Sequence, residues 1–192
     1  MERIGDNVFR STYLRSGSPR SPAVYGGLLF AQALAAAEET VSERLRVHSI
    51  HSMFILAAGI SKPIDYFVKT LRDGRSFCTR WVEAKQRGHI VFTCQISFHS
   101  PEEAAMKHQA KMPEVAPPEH CPELYDGAEQ LLEQAAQGHY QINPVREERL
   151  RQRIKDKFKV GAPLFEMRPT DLEEFLALKM SPEPNKSFVW VK

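Results

Sequence analysis

A predicted helix over residues 27–40 constrains the fold more than any other segment, because its side chains are apolar on nearly every side. Only Gln32, Glu38 and Glu39 interrupt this apolar run. A helix that is apolar all round is normally buried on every side, and a helix of about 14 residues is marginally stable by itself in water. We therefore expect other elements of the chain to wrap this helix closely.

A run of predicted strands follows the helix. The four strands are residues 47–56, 64–72, 76–86 and 89–99. In the last strand Ile90, Phe92, Cys94, Ile96 and Phe98 lie on one face, and Val91, Thr93, Gln95, Ser97 and His99 on the other. The Asp73-Gly74 and Arg87-Gly88 pairs are typical of hairpin turns. These features predict an α+β fold in which a curved antiparallel sheet surrounds the central helix.

Composition changes after the predicted sheet. Residues 112–123 contain four prolines and are predicted to form a linker. Residues 124–137 and 145–158 are predicted polar helices, and residues 163–171 and 186–192 are predicted strands. The 145–158 helix is rich in basic side chains. This pattern fits an acidic or nucleic-acid partner, but it favours a solvated helix with i,i+4 ion pairs.

These elements suggest three regions. A first strand over residues 7–15 is predicted to end before Pro19 and Pro22, because the two prolines exclude regular structure. The expected regions are an N-terminal domain over residues 1–100, a proline-rich and helical linker over residues 101–160, and the first strands of a second domain over residues 161–192.

Composition and charge narrow the class of protein. The 192 residues carry a net charge of +2, which is too small to indicate a nucleic-acid or membrane partner. Cys78, Cys94 and Cys121 form no CxxC pair, so they predict reduced thiols in an intracellular protein rather than a disulfide framework or a zinc site. The charged N-terminus lacks the apolar core of a secretory signal, and no apolar run approaches the roughly 20 residues of a membrane-spanning helix.

Few side chains indicate a catalytic or ligand-binding role. The sequence has no GxSxG, GxGxxG or GxxxxGK[ST] motif, so neither a hydrolase elbow nor a nucleotide-binding loop is indicated. His48 and His51 are three residues apart on a predicted strand, which places them on opposite faces and excludes a shared metal ion. One of them could act as a general base or hydrogen-bond donor, or be a structural imidazole. Gln95 could orient a water or be an ordinary solvated side chain.

Gly26 and Gly27 precede the central helix and have two interpretations. The first N–H groups of a helix have no partner within it and carry partial positive charge, and glycine would let a substrate carbonyl or oxyanion approach them. Alternatively, a neighbouring segment crosses the helix start so closely that only glycine fits. The residues alone favour neither interpretation.

Several segments together resemble the acyl-CoA thioesterase II family. In chain order they are VYGGLLFAQALAAAEETV, VHSIHSMFILAAG, LRDGRSFCTRWVEAKQRGHIVFTCQISFH, MKHQAKMPEV, PLFEMRPTD and FVWVK. The resemblance implies a hot-dog fold, in which an antiparallel sheet wraps a long central helix, with two such repeats in one family chain. It also implies hydrolysis of fatty acyl-CoA to fatty acid and coenzyme A, with no metal and no organic cofactor.

The family's catalytic set is an aspartate, a serine or threonine, and a glutamine of the second repeat. Because this chain stops at Lys192, on a predicted early strand of that repeat, we expect the set to lie beyond it. Ser52 and Gln95 resemble internal counterparts of the serine and glutamine, and His48 is the one candidate catalytic residue, in a contributory role. The candidate substrate-binding residues are Gly26, Gly27, His51, Ser76 and Phe77.

The resemblance predicts an acyl-CoA thioesterase chain that is weakly active or inactive alone and that self-associates or pairs with a second hot-dog repeat. Leu28 stands where the family usually has glutamine, which weakens a catalytic role for this half. The alternative is a non-catalytic acyl-binding or dimerisation module that pairs with a full-length thioesterase. A hot-dog hydratase is disfavoured because no Asp-x-Asn-Pro-x-His pattern stands at the helix start. We expect a peroxisomal matrix location if the chain follows the animal branch, and a cytoplasmic one if it is bacterial-like.

Overall fold

The structure is a computed structural model that describes residues 1–18, 21–157, 159, 163–180 and 186–192. The chain divides into two compact units, Met1–Lys107 and His108–Lys192, and each is described by itself. Pro19, predicted to follow the first strand, and Phe158, the predicted end of the second polar helix, lie outside the described residues.

An antiparallel sheet of six strands frames the first unit. The strands are β1 (Glu2–Gly5), β2 (Val8–Ser11), β3 (Arg46–Phe54), β4 (Ile64–Asp73), β5 (Phe77–Gln86) and β6 (His89–His99). They lie in the order β1-β2-β4-β5-β6-β3, so β3 pairs with the last strand and forms one edge of the sheet. The predicted antiparallel sheet is therefore confirmed, and β4, β5 and β6 pair in chain order. A meander that also includes β3 is wrong, because β3 pairs with β6 and not with β4. Strand β1 lies outside every predicted strand.

Helix α1 (Gly26–Glu38) packs against the sheet through one side only. The buried residues of this side are Leu29, Gln32, Ala33, Ala36 and Ala37. Gly27, Ala31 and Ala35, which follow one another at four-residue spacing and are called the α1 stripe below, are exposed. The prediction of a helix buried on every side is wrong for this stripe, because a single sheet contacts only one side of a helix.

A chain of hydrogen bonds runs through the core between α1 and the sheet. The Tyr66 hydroxyl donates to Gln32 Oε1 over 2.7 Å, and Gln32 Nε2 donates to the Tyr13 carbonyl over 2.8 Å. Burial raises the pKa of Tyr66 above its ordinary value. Since the Gln32 amide has a donor and an acceptor within reach, this polar residue can interrupt the apolar run without an unpaired buried group.

The two predicted hairpin turns differ in outcome. Arg87 and Gly88 have φ angles of 52° and 80° between the paired residues Gln86 and His89, which is the conformation of a two-residue type I′ turn and confirms this prediction. Asp73, in contrast, stays in β4 opposite Cys78, so the β4–β5 connection is longer than two residues. The two-residue prediction is wrong there, because the strand pairing extends through the aspartate.

The second unit consists of short elements. They are helices α2 (Leu124–Ala136), α3 (Pro144–Asp156) and α4 (Leu172–Phe175), and strands β7 (Met167–Pro169) and β8 (Val189–Val191). The two predicted polar helices are confirmed, and β7 and β8 are shorter than the predicted strands and pair antiparallel. In the described part of the chain, no helix combines the length and the apolar character that crossing a bilayer requires.

Candidate functional site

A bulge in β3 places His48 and His51 on the same face of the sheet. Val47 lies opposite Phe98 and Ser49 opposite Ser97, so His48 is an extra residue in the β3–β6 ladder. The extra residue shifts the alternation of side chains, and the predicted arrangement on opposite faces is therefore wrong. We call this face, which also bears Gln95 and is the one turned away from α1, the outer face.

His48 forms a cluster with three side chains of the outer face. Its Nε2 lies 2.9 Å from Ser97 Oγ. Its ring contacts the rings of Phe77 and His99 edge-on, each with a centroid distance of 5.8 Å, and the rings of Phe77 and His99 stack at 4.1 Å. The cluster thus holds an imidazole and a hydroxyl at hydrogen-bond distance beside an aromatic surface.

The chemistry open to this cluster follows from its exposure. An imidazole and a hydroxyl at this distance have the spacing of a base and its nucleophile. However, His48 and Phe77 are exposed, and water is not excluded from the pair. The geometry therefore suits hydrogen bonding to a ligand more than nucleophilic attack. Ser97 was missed as a site residue because nothing in the residues around His48 indicates the bulge that brings His48 to it.

Gly26 and Gly27 lie at the start of α1, where aromatic rings pack against them. A Cβ on Gly26 would come within 2.9 Å of the Phe54 ring, and a Cβ on Gly27 within 2.5 Å of the Tyr25 ring. These contacts give the close-packing interpretation of the paired glycines a concrete basis. The first turn of α1 contains no acidic residue, so this helix start offers no carboxylate to activate water.

The remaining predicted residues divide between the two faces of the sheet. His51 lies opposite Gln95 on the outer face, whereas Ser52 lies opposite Cys94, a core residue. Ser76 precedes Phe77, and its carbonyl accepts a hydrogen bond from the Ser100 N–H over 2.9 Å. The structure thus brings Phe77 to His48 but does not bring Ser52 and Gln95 together. Among the described residues, no group of three or more His, Cys, Asp or Glu side chains is arranged to hold a metal ion.

The sequence matches one family model and several known proteins. Residues 14–99 match the family model described as the acyl-CoA thioesterase N-terminal domain. Human acyl-coenzyme A thioesterase 8 is 39% identical over 134 residues, which cover 70% of this chain and 40% of the relative. Peroxisomal acyl-coenzyme A thioester hydrolase 1 of Saccharomyces cerevisiae is 31% identical over 133 residues, which cover 68% of this chain and 38% of the relative. The chain spans about two fifths of the length of these curated relatives.

Solved structures agree with this match. The acyl-CoA thioesterase II TesB2 of Mycobacterium marinum is 25% identical with a TM-score of 0.63, and the likeness covers 100% of this chain and 57% of that one. A conserved protein with a hot-dog fold from Alicyclobacillus acidocaldarius has a TM-score of 0.55 at 19% identity, over 84% of this chain and 50% of that one, which bears on the fold alone. The predicted resemblance to the acyl-CoA thioesterase II family is thereby confirmed: residues 14–99 match the acyl-CoA thioesterase N-terminal domain, and the fold is that of its hot-dog neighbours.

Proposed function

We propose that this chain supplies the first hot-dog half of an enzyme that hydrolyses fatty acyl-CoA to fatty acid and coenzyme A. The family match over residues 14–99 carries the proposal. The names of the human and yeast relatives, which describe acyl-CoA thioester hydrolases, support the substrate class. In this proposal residues 101–160 are a linker, and residues 161–192 are the first strands of a second repeat.

We also propose that the 192-residue chain is weakly active or inactive alone. The family resemblance assigns the catalytic aspartate to the start of the second repeat's helix, and the first turn of α1 has no acidic residue. Water near Gly26 and Gly27 would therefore lack a carboxylate base.

Thiol release from palmitoyl-CoA by the purified chain tests both statements. We expect little or no turnover by the chain alone and turnover by a protein in which a complete second repeat follows it. A turnover number on the order of 10 per second for the chain alone would contradict the proposed inactivity. No hydrolysis of any acyl-CoA by the longer protein would contradict the proposed reaction.

An apolar surface on the first unit supports pairing with a second hot-dog repeat. The β3 edge and the segment after it expose Met53, Phe54, Ile55 and Leu56, each with at least 49% of its surface accessible. The small residues of the α1 stripe would let another helix approach closely. Exposed apolar surface beside an unpaired strand edge is typical of an association site, so we propose self-association or pairing through this surface.

Light scattering of the chain at micromolar concentration tests the pairing. We expect a dimer or larger species, and we expect Ala31→Glu to shift it toward the monomer because a carboxylate would be buried in the interface. Ala136→Glu, the same change at an exposed alanine of α2, is the matched control. A monomeric parent chain, or equal effects of the two variants, would contradict the assignment of this surface.

The same surface leaves a second candidate function open. The chain would then be a non-catalytic acyl-binding or dimerisation module that pairs with a full-length thioesterase. Co-purification with such a thioesterase, lost in Ala31→Glu and kept in Ala136→Glu, would support this function. Failure to bind either an acyl-CoA analogue or the thioesterase would remove it.

His48 is proposed as a contributory residue, with Gly26, Gly27, His51, Ser76 and Phe77 as substrate-binding residues. The hydrogen bond between His48 and Ser97 supports a role in positioning a polar group. Calorimetry with a non-hydrolysable acyl-CoA analogue tests it: we expect His48→Ala to weaken binding, and His108→Ala, at an exposed histidine outside the cluster, to have no effect.

The proposed cellular compartment depends on whether the chain follows the peroxisomal or the bacterial relatives. The yeast relative is named as peroxisomal, which supports the peroxisomal matrix; a bacterial-like chain would instead act in the cytoplasm. Co-localisation of a tagged chain with a peroxisomal matrix marker distinguishes the two.

A further inference from the structure

A cationic cleft lies on the outer face of the first unit and contains none of the predicted site residues. The cavity has a volume of about 330 Å³. Four of its lining side chains are cationic, namely Arg10, Lys62, Lys85 and Arg87, and one, Asp65, is anionic. We call this cavity the cationic cleft.

Strand register and one turn bring the four cations together. Arg10 of β2 lies opposite Asp65 of β4, which lies opposite Lys85 of β5, so the three side chains form a row across the sheet. Lys62 comes from the loop before β4. Arg87 occupies the turn between β5 and β6 with a φ of 52°, a conformation that asparagine, aspartate and glycine adopt far more readily than arginine.

The cations in the row across the sheet are paired with carboxylates, whereas, in the described part of the chain, the two exposed cations at the rim of the cleft, Lys62 and Arg87, are not. The Arg10 guanidinium binds both oxygens of Asp65, over 2.7 and 2.9 Å. Lys85 binds Glu83 over 3.0 Å. Among the described residues, neither Lys62 nor Arg87 forms an ion pair with a carboxylate. The cleft therefore keeps an excess of positive charge at its rim.

Part of the lining of the cleft is apolar. Phe67 and Pro63 line it, and the Lys85 ammonium lies 4.7 Å from the centre of the Phe67 ring. The cleft volume falls at the small end of the range for small-molecule sites. A guanidinium can bind phosphate through two parallel hydrogen bonds, and a lysine ammonium provides a second positive point charge.

We propose that the cationic cleft binds a small molecule that carries a diphosphate group. The two unpaired cations, Lys62 and Arg87, can each bind one of two linked phosphates. The apolar lining suits the organic part of a diphosphate ester. Coenzyme A and free nucleoside diphosphates share this chemistry. The proposal rests on the described residues of the first unit and does not depend on thioester hydrolysis.

Isothermal titration of the full 192-residue chain with inorganic pyrophosphate tests the site. We expect saturable binding with one site per chain, weakened about tenfold or more in the double variant Lys62→Glu/Arg87→Glu, because hydrogen bonds to charged groups are lost. The control Arg75→Glu/Lys107→Glu makes the same change in net charge at exposed residues outside the cleft and should change affinity less than about twofold. Circular dichroism verifies that both variants fold.

Two outcomes would overturn the proposal. One is the absence of saturable binding at millimolar pyrophosphate and low salt. The other is an equal loss of affinity in both double variants, which would mean binding to net charge. Shifts of the Arg87 and Gly88 amide resonances on titration would locate the ligand independently, and their absence while heat is released would place binding elsewhere and overturn the assignment.

Titrations with ADP, coenzyme A and adenosine identify the source of the diphosphate. Tighter binding of coenzyme A than of ADP would assign the cleft to coenzyme A, and the reverse order would assign it to a free nucleotide. Adenosine lacks the diphosphate and should not bind. Adenosine binding as tight as ADP binding would overturn the proposal.

Discussion

The two units of the chain hold their helices in place by different means. In the first unit one apolar cluster joins 19 buried residues of α1, the surrounding strands and the loops between them. The buried cluster described in the second unit has three residues, Ala128, Leu132 and Leu150. Helix α1 has no side-chain cap at its N-terminus, whereas α2, α3 and α4 are capped by Glu123, Asn143 and Asp171.

This difference shows two sources of helix stability: burial of side chains for α1, and capping of the helix ends for α2, α3 and α4. Burial of apolar side chains contributes several kcal/mol at a single site, about 1.5–3 for each large residue, and a helix fixed in this way does not depend on capping. A helix with few buried side chains depends more on its ends, where a cap contributes about 1 kcal/mol. The chain has two tryptophans, Trp81 in the first unit and Trp190 in the second, so each unit can be followed by its own fluorescence.

The largest expected effect is a core deletion in the first unit. Ile96 is fully buried, and Ile96→Ala should lower the free energy of unfolding of this unit by about 2–5 kcal/mol, because it removes apolar contacts and leaves a cavity. Urea unfolding followed by Trp81 fluorescence in a Trp190→Phe background measures the change. Ile60→Ala, at a side chain with 44% exposure, should shift the midpoint little. Equal shifts in the two variants would contradict the assigned core.

A second large effect is expected at Arg80, whose side chain is 4% exposed. It donates to the Thr40 hydroxyl and to the Thr40 carbonyl, each over 2.9 Å, just beyond the end of α1. Arg80→Met should lower the free energy of unfolding by about 2–3 kcal/mol, because the partly buried acceptors of Thr40 lose a charged donor.

The partner carboxylate provides the control for Arg80. Asp73 is 64% exposed, so Asp73→Asn should cost less than about 1 kcal/mol although the two side chains lie 2.7 Å apart. Trp81 fluorescence in urea measures both variants. A cost for Asp73→Asn as large as that for Arg80→Met would mean that the ion pair, rather than the bonds to Thr40, provides the stability.

Ile96 and Arg80 also show how far the sequence predicts the fold. The apolar run of α1 and the alternation of Ile96 and Phe98 in β6 indicate the core directly. Buried side chains recur at the period of the helix or strand that carries them, so the sequence shows this pattern. Arg80 gives no such signal. It occupies a core-facing position opposite Ile96, and its partner Thr40 is distant in sequence. Long-range polar pairs of this kind have no periodicity and appear only once the chain is folded.

A smaller, pH-dependent effect is expected at Glu83 on the outer face. Its carboxylate accepts hydrogen bonds from Lys69 over 2.6 Å and from Trp81 Nε1 over 3.2 Å, and it pairs with Lys85 over 3.0 Å. The bonds from Lys69 and Lys85 lower the pKa of Glu83 to about 2. Because the folded-state pKa lies below the ordinary value, the stability from this carboxylate is present above about pH 4.5 and is lost as the pH falls toward 2.

Replacing Glu83 with glutamine tests this dependence. Glu83→Gln should lower the free energy of unfolding at pH 7 by about 1–2 kcal/mol, a value reduced by the exposure of Lys69 to solvent. The difference from the parent chain should shrink at pH 3. At that pH Glu83 is protonated in the unfolded parent chain, so folding must remove a proton and the parent chain loses part of its advantage. Trp81 fluorescence in urea at the two pH values gives the comparison. A difference that is equal at pH 7 and pH 3 would contradict the assigned charge effect.

The candidate site was less predictable than the core, and the β3 bulge is the reason. A strict two-residue period puts His48 and His51 on opposite faces, but one extra residue in the ladder reverses that relation. The sequence around His48 has neither glycine nor proline to mark the bulge. The paired glycines before α1 were predictable as special positions, whereas the aromatic rings of Tyr25 and Phe54 that pack against them follow from tertiary contacts.

The smallest expected effect lies in the second unit, at the cap of α3. Asn143 Oδ1 accepts a hydrogen bond from the Val145 N–H over 3.0 Å, and Pro144 follows at the first helical position. Asn143→Ala should lower the free energy of unfolding by about 1 kcal/mol, because one helix N–H loses its acceptor. Asn143→Ser keeps an acceptor and should retain most of the stability. Urea unfolding followed by Trp190 in a Trp81→Phe background measures both, and equal midpoints for Asn143→Ala and the parent chain would show that α3 does not depend on its cap.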